Sequence, residues 1–382
     1  MIVIIFVVGY LAIAFEHPLR TNKAASALLT GVICWSIYAL WGGDKGLVSD
    51  DLAHHLSDIA GILFFLLGAM VIVELIDAHD GFEIITERIH TTSKSKLVWI
   101  IGILAFFLSA VLDNLTTTIV MVSLLRKFIP SHKDRLMFAG LIVISANAGG
   151  AWSPIGDVTT TMLWIGNQIT TANIIIKTLL PSLVCFFVPA LFISMQMKGS
   201  LEPMPGKKEK LFSTLNERRT VFIIGVACLL FVPVFKTITH LPPYMGIVFG
   251  LGTMWVLTEM VHSGKDEREK GLLSVNHALR KIDTPSILFF LGILLAVSAL
   301  ESTGILTSVS AYLDKSIGNI SVITIIIGFL SAIVDNVPLV AAAQGMYSLD
   351  QYPTDHFFWE FLAYCSGTGG SILIIGSAAG VA

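Results

Sequence analysis

Charge is scarce in this sequence. Asp, Glu, Lys and Arg together make up 13% of its 382 residues, while 54% are hydrophobic. Soluble domains carry roughly twice that share of charge. No stretch is long and polar enough to form a separate soluble domain. Cysteine is scarcer still. The four, Cys34, Cys185, Cys228 and Cys365, all lie in apolar segments, with no CxxC and no Cys/His cluster. That excludes a disulfide framework and a thiolate metal centre, and leaves them as small core residues. A net charge of −3 gives no sign of nucleic acid as a partner. No motif calls for a resident cofactor. The first apolar run, 2–15, has no basic segment before it and no clear cleavage site, so it reads as a short membrane helix and not a signal peptide. A few further residues are expected ahead of it.

What the sequence has in abundance is apolar runs. They recur from end to end, at about 24–41, 59–76, 97–129, 136–166, 172–196, 220–235, 242–261, 284–304, 319–347 and 357–382. Each approaches or exceeds the roughly 20 residues that cross a bilayer as a helix. The expected fold class is an all-α polytopic membrane protein, with the bilayer as its partner. Two runs do not fit a single crossing. Run 97–129 is too long for one span and too short for two, and Asp113-Asn114 sits at its midpoint. Run 319–347 holds Asp335-Asn336 in the same place. Both read as re-entrant hairpins with the Asp-Asn pair at the tip. Charge supports this. With both hairpins returning to their own side, twenty of the 24 Lys and Arg fall in loops on one face, the cytoplasmic one.

The chain also repeats itself. Asp58 matches Asp283, Asp113 matches Asp335, and NAGGAWSPIG (147–156) matches GTGGSILIIG (367–376), at offsets of 225, 222 and 220 residues. The order is kept and the offset is nearly constant, so this is an internal duplication. The two copies run in opposite directions through the membrane, as in secondary transporters with midplane sites. The expected organisation is a first half over 1–196, a cytoplasmic linker over 197–219 and a second half over 220–382. Broken helices are expected over about 136–166 and from about 357. By comparison with the first half, the second reads as C-terminally incomplete.

An aspartate in the middle of the membrane is expensive unless paired, solvated or protonated, which makes it a functional candidate. Asp113 and Asp335 have no Lys or Arg within their own runs, so a bound cation or a proton is expected to compensate each. The surrounding groups suit a hard cation, which prefers oxygen ligands. Asn114 and Asn336 offer amide oxygens. Ser109, Thr116, Thr117 and Ser331 offer hydroxyls. In the stretch SANAGGAWSPIGDVTTT, glycines and Pro154 unwind the helix beside Asn147, Asp157, Thr159 and Thr160. Its second-half partner supplies Ser366, Thr368 and Ser371. Capping of a half-helix is the competing role for Asp157. Asp58, Asp283 and Thr284 precede their helices. Helix capping is the expected role of the two aspartates, with ion coupling as the other. The loop histidines, His54, His55, His79 and His90, read as solvated.

Taken in order, DNLTTTIVMVSLLRK, SANAGGAWSPIGD, DNVPLVAA and SGTGGSILIIGSAAG resemble the NhaD-type sodium/proton antiporters of the ion transporter superfamily. The resemblance covers essentially the whole chain. It implies a bacterial inner-membrane carrier that exports Na+ or Li+ in exchange for H+, built on elevator-like inverted repeats and homodimeric. It implies that Asp113, Asn114, Asn147, Asp157, Thr159, Thr160, Asp335 and Asn336 bind the cation and proton. Ser109, Ser331, Ser366 and Ser371 would support them. Dicarboxylate symporters of the same superfamily carry Ser-Asn-Thr at the hairpin tips. Here the tips read Leu-Asp-Asn and Val-Asp-Asn, with no nearby Lys or Arg expected, so an anionic substrate would be repelled. A sodium-coupled dicarboxylate symporter is the alternative. An intramembrane aspartyl protease is a remote one, since those enzymes carry GxGD and only PIGD, at 154–157, comes near it. No catalytic residue is expected.

Overall fold

Backbone groups inside hydrocarbon must satisfy one another within a segment, so long apolar runs fold as helices. The computed structural model describes residues 1–382 apart from 42–43, 87–88, 90, 130, 202–212, 374–376 and 382. Among the described residues there is no β-strand. The first half runs α1 (Ile2–Ala14), α2 (Glu16–Leu19), α3 (Lys23–Trp41), α4 (Lys45–Ala78), α5 (Glu83–Thr86), α6 (Lys94–Leu112), α7 (Asn114–Phe128), α8 (His132–Gly150), α9 (Val158–Ile165) and α10 (Thr171–Gln196). The second runs α11 (Leu215–Thr239), α12 (Pro243–Val261), α13 (Glu267–Leu273), α14 (Val275–Lys281), α15 (Thr284–Ser302), α16 (Ile305–Ser316), α17 (Ile320–Leu330), α18 (Asn336–Met346), α19 (Phe357–Gly369) and α20 (Ala378–Val381). Seven of these helices are long and apolar enough to cross a membrane. The protein is a polytopic all-α membrane protein.

The duplication extends further than its three sequence matches. Lys23–Trp41 shifted by 220 residues is Pro243–Val261, so α3 and α12 coincide end for end. Helix α15 packs against α1 and α3, and its counterpart α4 packs against α11 and α12. Each half therefore lends one helix to the other. Each expected hairpin is broken at its Asp-Asn pair. Asp113 joins α6 to α7, and residues 331–335 join α17 to α18. The start of α6 meets the first turn of α8, just after α7, through Lys94 Nζ and Asp134 Oδ2 at 2.6 Å. The second hairpin closes in the same way, with the Tyr347 hydroxyl donating to Asp314 Oδ1 at 3.1 Å. The two bases lie on opposite faces. The first is stitched to the linker, where Lys94 N donates to Gly199 O and Leu201 N to Thr92 O. The second lies on the face where Thr170 binds Asp355 and Thr354 binds Asn167.

Two expectations are corrected. Asp58 is not a cap; it lies exposed inside α4, which starts thirteen residues earlier behind its real N-cap, Asp44. Asp283 does cap α15, accepting from Ser286 N. Pro285 cannot continue a helix from before, so it forces a start there, and nothing comparable follows Asp58. His79 is not solvated. It is fully buried at the linker face, where α4 ends, and His90 lies outside the described residues. His79 Nδ1 donates to Leu75 O at 2.6 Å, which leaves its Nε2 as an acceptor for the Nε2–H of His262 at 2.9 Å. His262 ends α12, and Ser213 of the linker donates to His79 O. Arg218–Glu83 and Lys265–Glu217 ion pairs flank this junction.

Burial lowers the pKa of His79 from near 6.5 to about 4, and burial also lowers that of His262. The neutral pair is thus the folded form, and the unfolded chain binds more protons between the two values. Stability is full above about pH 6.5 and is lost as pH falls toward 4, on the order of 3 kcal/mol for His79. The melting midpoint of the detergent-purified protein falls over this window, and His79→Gln flattens the slope. An unchanged slope in that variant rules the junction out as its source.

Candidate ion-binding site

Three carboxylates meet where helices are interrupted. Asp113, Asp157 and Asp335 are the N-caps of α7, α9 and α18. Asp113 accepts from Thr116 N and Thr116 Oγ1, at 2.7 and 2.8 Å. Asp157 accepts from Thr159 N and Thr159 Oγ1, both at 2.9 Å. Asp335 accepts from Val337 N at 3.1 Å. The positive end of each short helix offsets part of the cost of burying an anion. Asp113 holds its place with φ at +78°, a strained backbone for a residue with a Cβ. For Asp157, capping and a place in the site coincide, so the two roles are compatible.

Asp157 is the hub. Its Oδ2 accepts from Asn114 Nδ2 at 2.9 Å, from the first hairpin. Both its oxygens accept from Asn336 Nδ2 at 3.4 Å, from the second. Asn114 Nδ2 also donates to Asn147 Oδ1 at 2.9 Å. Asn147 Nδ2 donates onward to Ser371 Oγ at 2.9 Å and Ser377 Oγ at 3.0 Å, in the second broken helix. One polar chain therefore links both hairpins and both helix breaks. Asp335 lies within electrostatic reach of Asp157, and Asp157 of Asp113.

The supporting hydroxyls divide. Ser109 donates to Ala146 O at 2.6 Å, and Ser331 to Ser366 O at 2.7 Å. These are equivalent bonds in the two repeats, and each ties a hairpin to its broken helix. Thr160 donates to Asp157 O, while Ser366 and Thr368 donate back to carbonyls of their own helix. Thr117 Oγ1 and Thr118 Oγ1 are buried with no partner, a condition that costs about 1–3 kcal/mol unless something fills it. A cavity of about 10 Å³ adjoins Asp113, lined by Phe65, Leu112, Ile155, Thr161 and Ile247 among others. The structure does not bring Asp58, Asp283 or Thr284 to this site. Asp58 lies near Glu301, and Asp283 is engaged in its cap.

Sequence reasoning missed Ser377 as a partner of Asn147, although the repeat aligns it with Asp157. It also missed Lys23. Its ammonium sits 4.8 Å over the ring of Phe289 and within electrostatic reach of Asp335, which corrects the expectation that no Lys or Arg lies near a tip. Lys23 looked like a loop charge because the sequence does not show that α3 packs along α15.

Glycine sets how closely these parts approach. A Cβ at Gly149 would overlap the carbonyl of Phe106, and one at Gly369 would overlap that of Gly328. The two are equivalent hairpin-to-helix contacts. Gly149→Ala and Gly369→Ala each destabilise the protein by about 1–3 kcal/mol, seen as a lower melting midpoint in detergent. A wild-type midpoint in either variant shows that the backbone gives way there.

A profile of the family described as "Citrate transporter" matches residues 2–369. The chain is 49% identical over 380 residues to sodium/proton antiporter 1 of Arabidopsis thaliana, covering 99% of this chain and 66% of that protein. It is 48% identical over 381 residues to sodium/proton antiporter 2 of the same plant, covering 99% and 90%. The Na(+)/H(+) antiporter NhaD of Alkalimonas amylolytica is 29% identical over 406 residues, covering 99% and 82%.

Proposed function

Because this chain belongs to the citrate-transporter family of the ion transporter superfamily, which makes it a transporter and not an enzyme, we propose that it exchanges Na+ for H+ across its membrane. One observation carries the reading. Three carboxylates, Asp157 buried and Asp113 and Asp335 half-buried, converge at helix breaks, and among the described residues none makes a salt bridge. Such a group is stable only with a cation or a proton on it. A site that accepts either, but not neither, exchanges one for the other.

In this reading a cation enters between the hairpin tips and takes oxygen ligands from Asp113 and Asp157. The amide oxygens of Asn114 and Asn336 and the hydroxyls of Thr117 and Thr159 lie beside them. Asp157 then gives up amide donors to the cation's field, which loosens the bond chain between the hairpins. With the cation gone, protons restore neutrality and the chain closes again. The proton gradient drives Na+ outward from the cytoplasm. The resemblance in sequence further implies Li+ as an alternative cargo, a homodimer, and residence in a bacterial inner membrane. Two of the relatives are plant proteins, so a plant membrane is the other outcome of a localisation experiment.

The family description also names citrate. A tricarboxylate would have to approach three carboxylates, which argues against it as cargo.

The test uses everted vesicles with an imposed pH gradient. NaCl collapses the gradient at alkaline pH. Asp113→Asn and Asp157→Asn, inserted at normal levels, cut the response to below about a tenth. Citrate-driven uptake with no Na+ response overturns the proposal in favour of a symporter.

A further inference from the structure

Helix α9 is short, and its two ends are held by different parts of the molecule. It has eight residues, six of them buried, where a helix that stands alone in water needs roughly twelve or more. At its N-terminus is Asp157, the hub of the site. Its last turn carries no basic residue of its own, although the negative end of a helix favours a cation. The cation comes from another element. Lys236, in the last turn of α11, donates from Nζ to Trp164 O at 2.5 Å and to Asn167 Oδ1 at 3.2 Å. The same ammonium lies 4.8 Å over the ring of Trp164.

Lys236 is one of the few lysines that the charge pattern leaves on the face opposite the linker. A lysine at the end of a membrane helix usually extends its ammonium into water. Here the side chain is half-buried and turned onto the end of α9. The turn it reaches is shaped to receive it. Asn167 has φ at +60°, in the left-handed region that asparagine tolerates better than most residues. Thr354 donates to the Asn167 carbonyl at 2.7 Å and holds the same turn from the side of α19. Helix α9 packs on α18 and α19, while α11 packs on α12 and α4, so Lys236 reaches from one group of helices to the other. Shifted by 220 residues, Lys236 falls on Glu16, a residue of opposite charge. The lysine of the second half thus serves the broken helix of the first, the one that carries Asp157.

We propose that Lys236 is a positioning residue that fixes the outer end of α9, so that Asp157, about 12 Å away at the inner end, keeps the amides of both hairpins within reach. This rests on the exchange reading above and deepens it. So short a helix moves as a unit, and slack at Trp164 becomes displacement at Asp157. A binding site loses affinity when its ligands drift by a fraction of an ångström.

The test uses the full chain in proteoliposomes, with Lys236→Met, Lys236→Arg, Asn167→Gly and the Lys236→Met/Asn167→Gly double variant, none of which alters the site itself. Glycine keeps the left-handed turn while removing the amide. Lys236→Met is expected to raise the KM for Na+ about fivefold or more, with the maximal rate per inserted protein held within about twofold. Lys236→Arg, which still donates to the carbonyl, restores most of the affinity. Asn167→Gly shifts KM less, and the double variant is no worse than Lys236→Met, because both changes act through one ammonium. Hydrogen exchange followed by mass spectrometry reads the tie independently of transport. In Lys236→Met the amides of 158–165 exchange several-fold faster, since one end of their helix has lost its hold. A wild-type KM in Lys236→Met, additive losses in the double variant, or unchanged exchange over 158–165 each overturns the proposal. If the wild type moves no Na+, the exchange reading fails, and the hydrogen-exchange comparison still decides whether Lys236 holds α9.

Discussion

The structure turns on one carboxylate that accepts amides from two directions. Asp157 receives Asn114 from one hairpin and Asn336 from the other. Without it, the tips would face each other as two uncoupled polar ends in an apolar interior. With it, a change of charge at one oxygen pair is felt by both repeats at once. Each of the three aspartates also caps a short helix, so the field that keeps the anion buried is built from the same backbone that breaks the membrane span.

Symmetry accounts for the frame and asymmetry for the chemistry. Ser109 and Ser331 make the same bond to the broken helices, and Gly149 and Gly369 make the same close approach. Asp157 aligns with Ser377, which makes the hub singular. Lys23 aligns with Pro243, which makes the two tips unequal. A fully symmetric site would hold the same charge on both sides of the midplane and give a cation no preferred partner.

Much of this was legible in the sequence, because a membrane leaves few solutions. Apolar runs near twenty residues marked the spanning helices. The Asp-Asn pairs marked the tips, since a charge in hydrocarbon has to be explained. The positions of Lys and Arg pointed to hairpins that return to their own side, and Lys94 at the start of α6 pairs with Asp134 in the first turn of α8. What stayed hidden depends on packing across the halves. Asp58 and Asp283 look alike in sequence, and only the missing proline separates a mid-helix residue from a cap. His79 reads as a loop residue until α12 brings His262 against it. Lys23 reads as an interfacial charge until α3 is laid beside α15.

That exchange of helices bears on ancestry. The α3-like helix of each repeat packs mainly on the α4-like helix of the other repeat, and little on that of its own. A single-repeat forebear would have exposed that face in either orientation. It would have been stable only as a pair of copies inserted upside down relative to each other. Fusion of two such genes, through a linker on one face, would then have freed the copies to diverge. One could keep an aspartate at the helix break, and the other could acquire a lysine at the helix start.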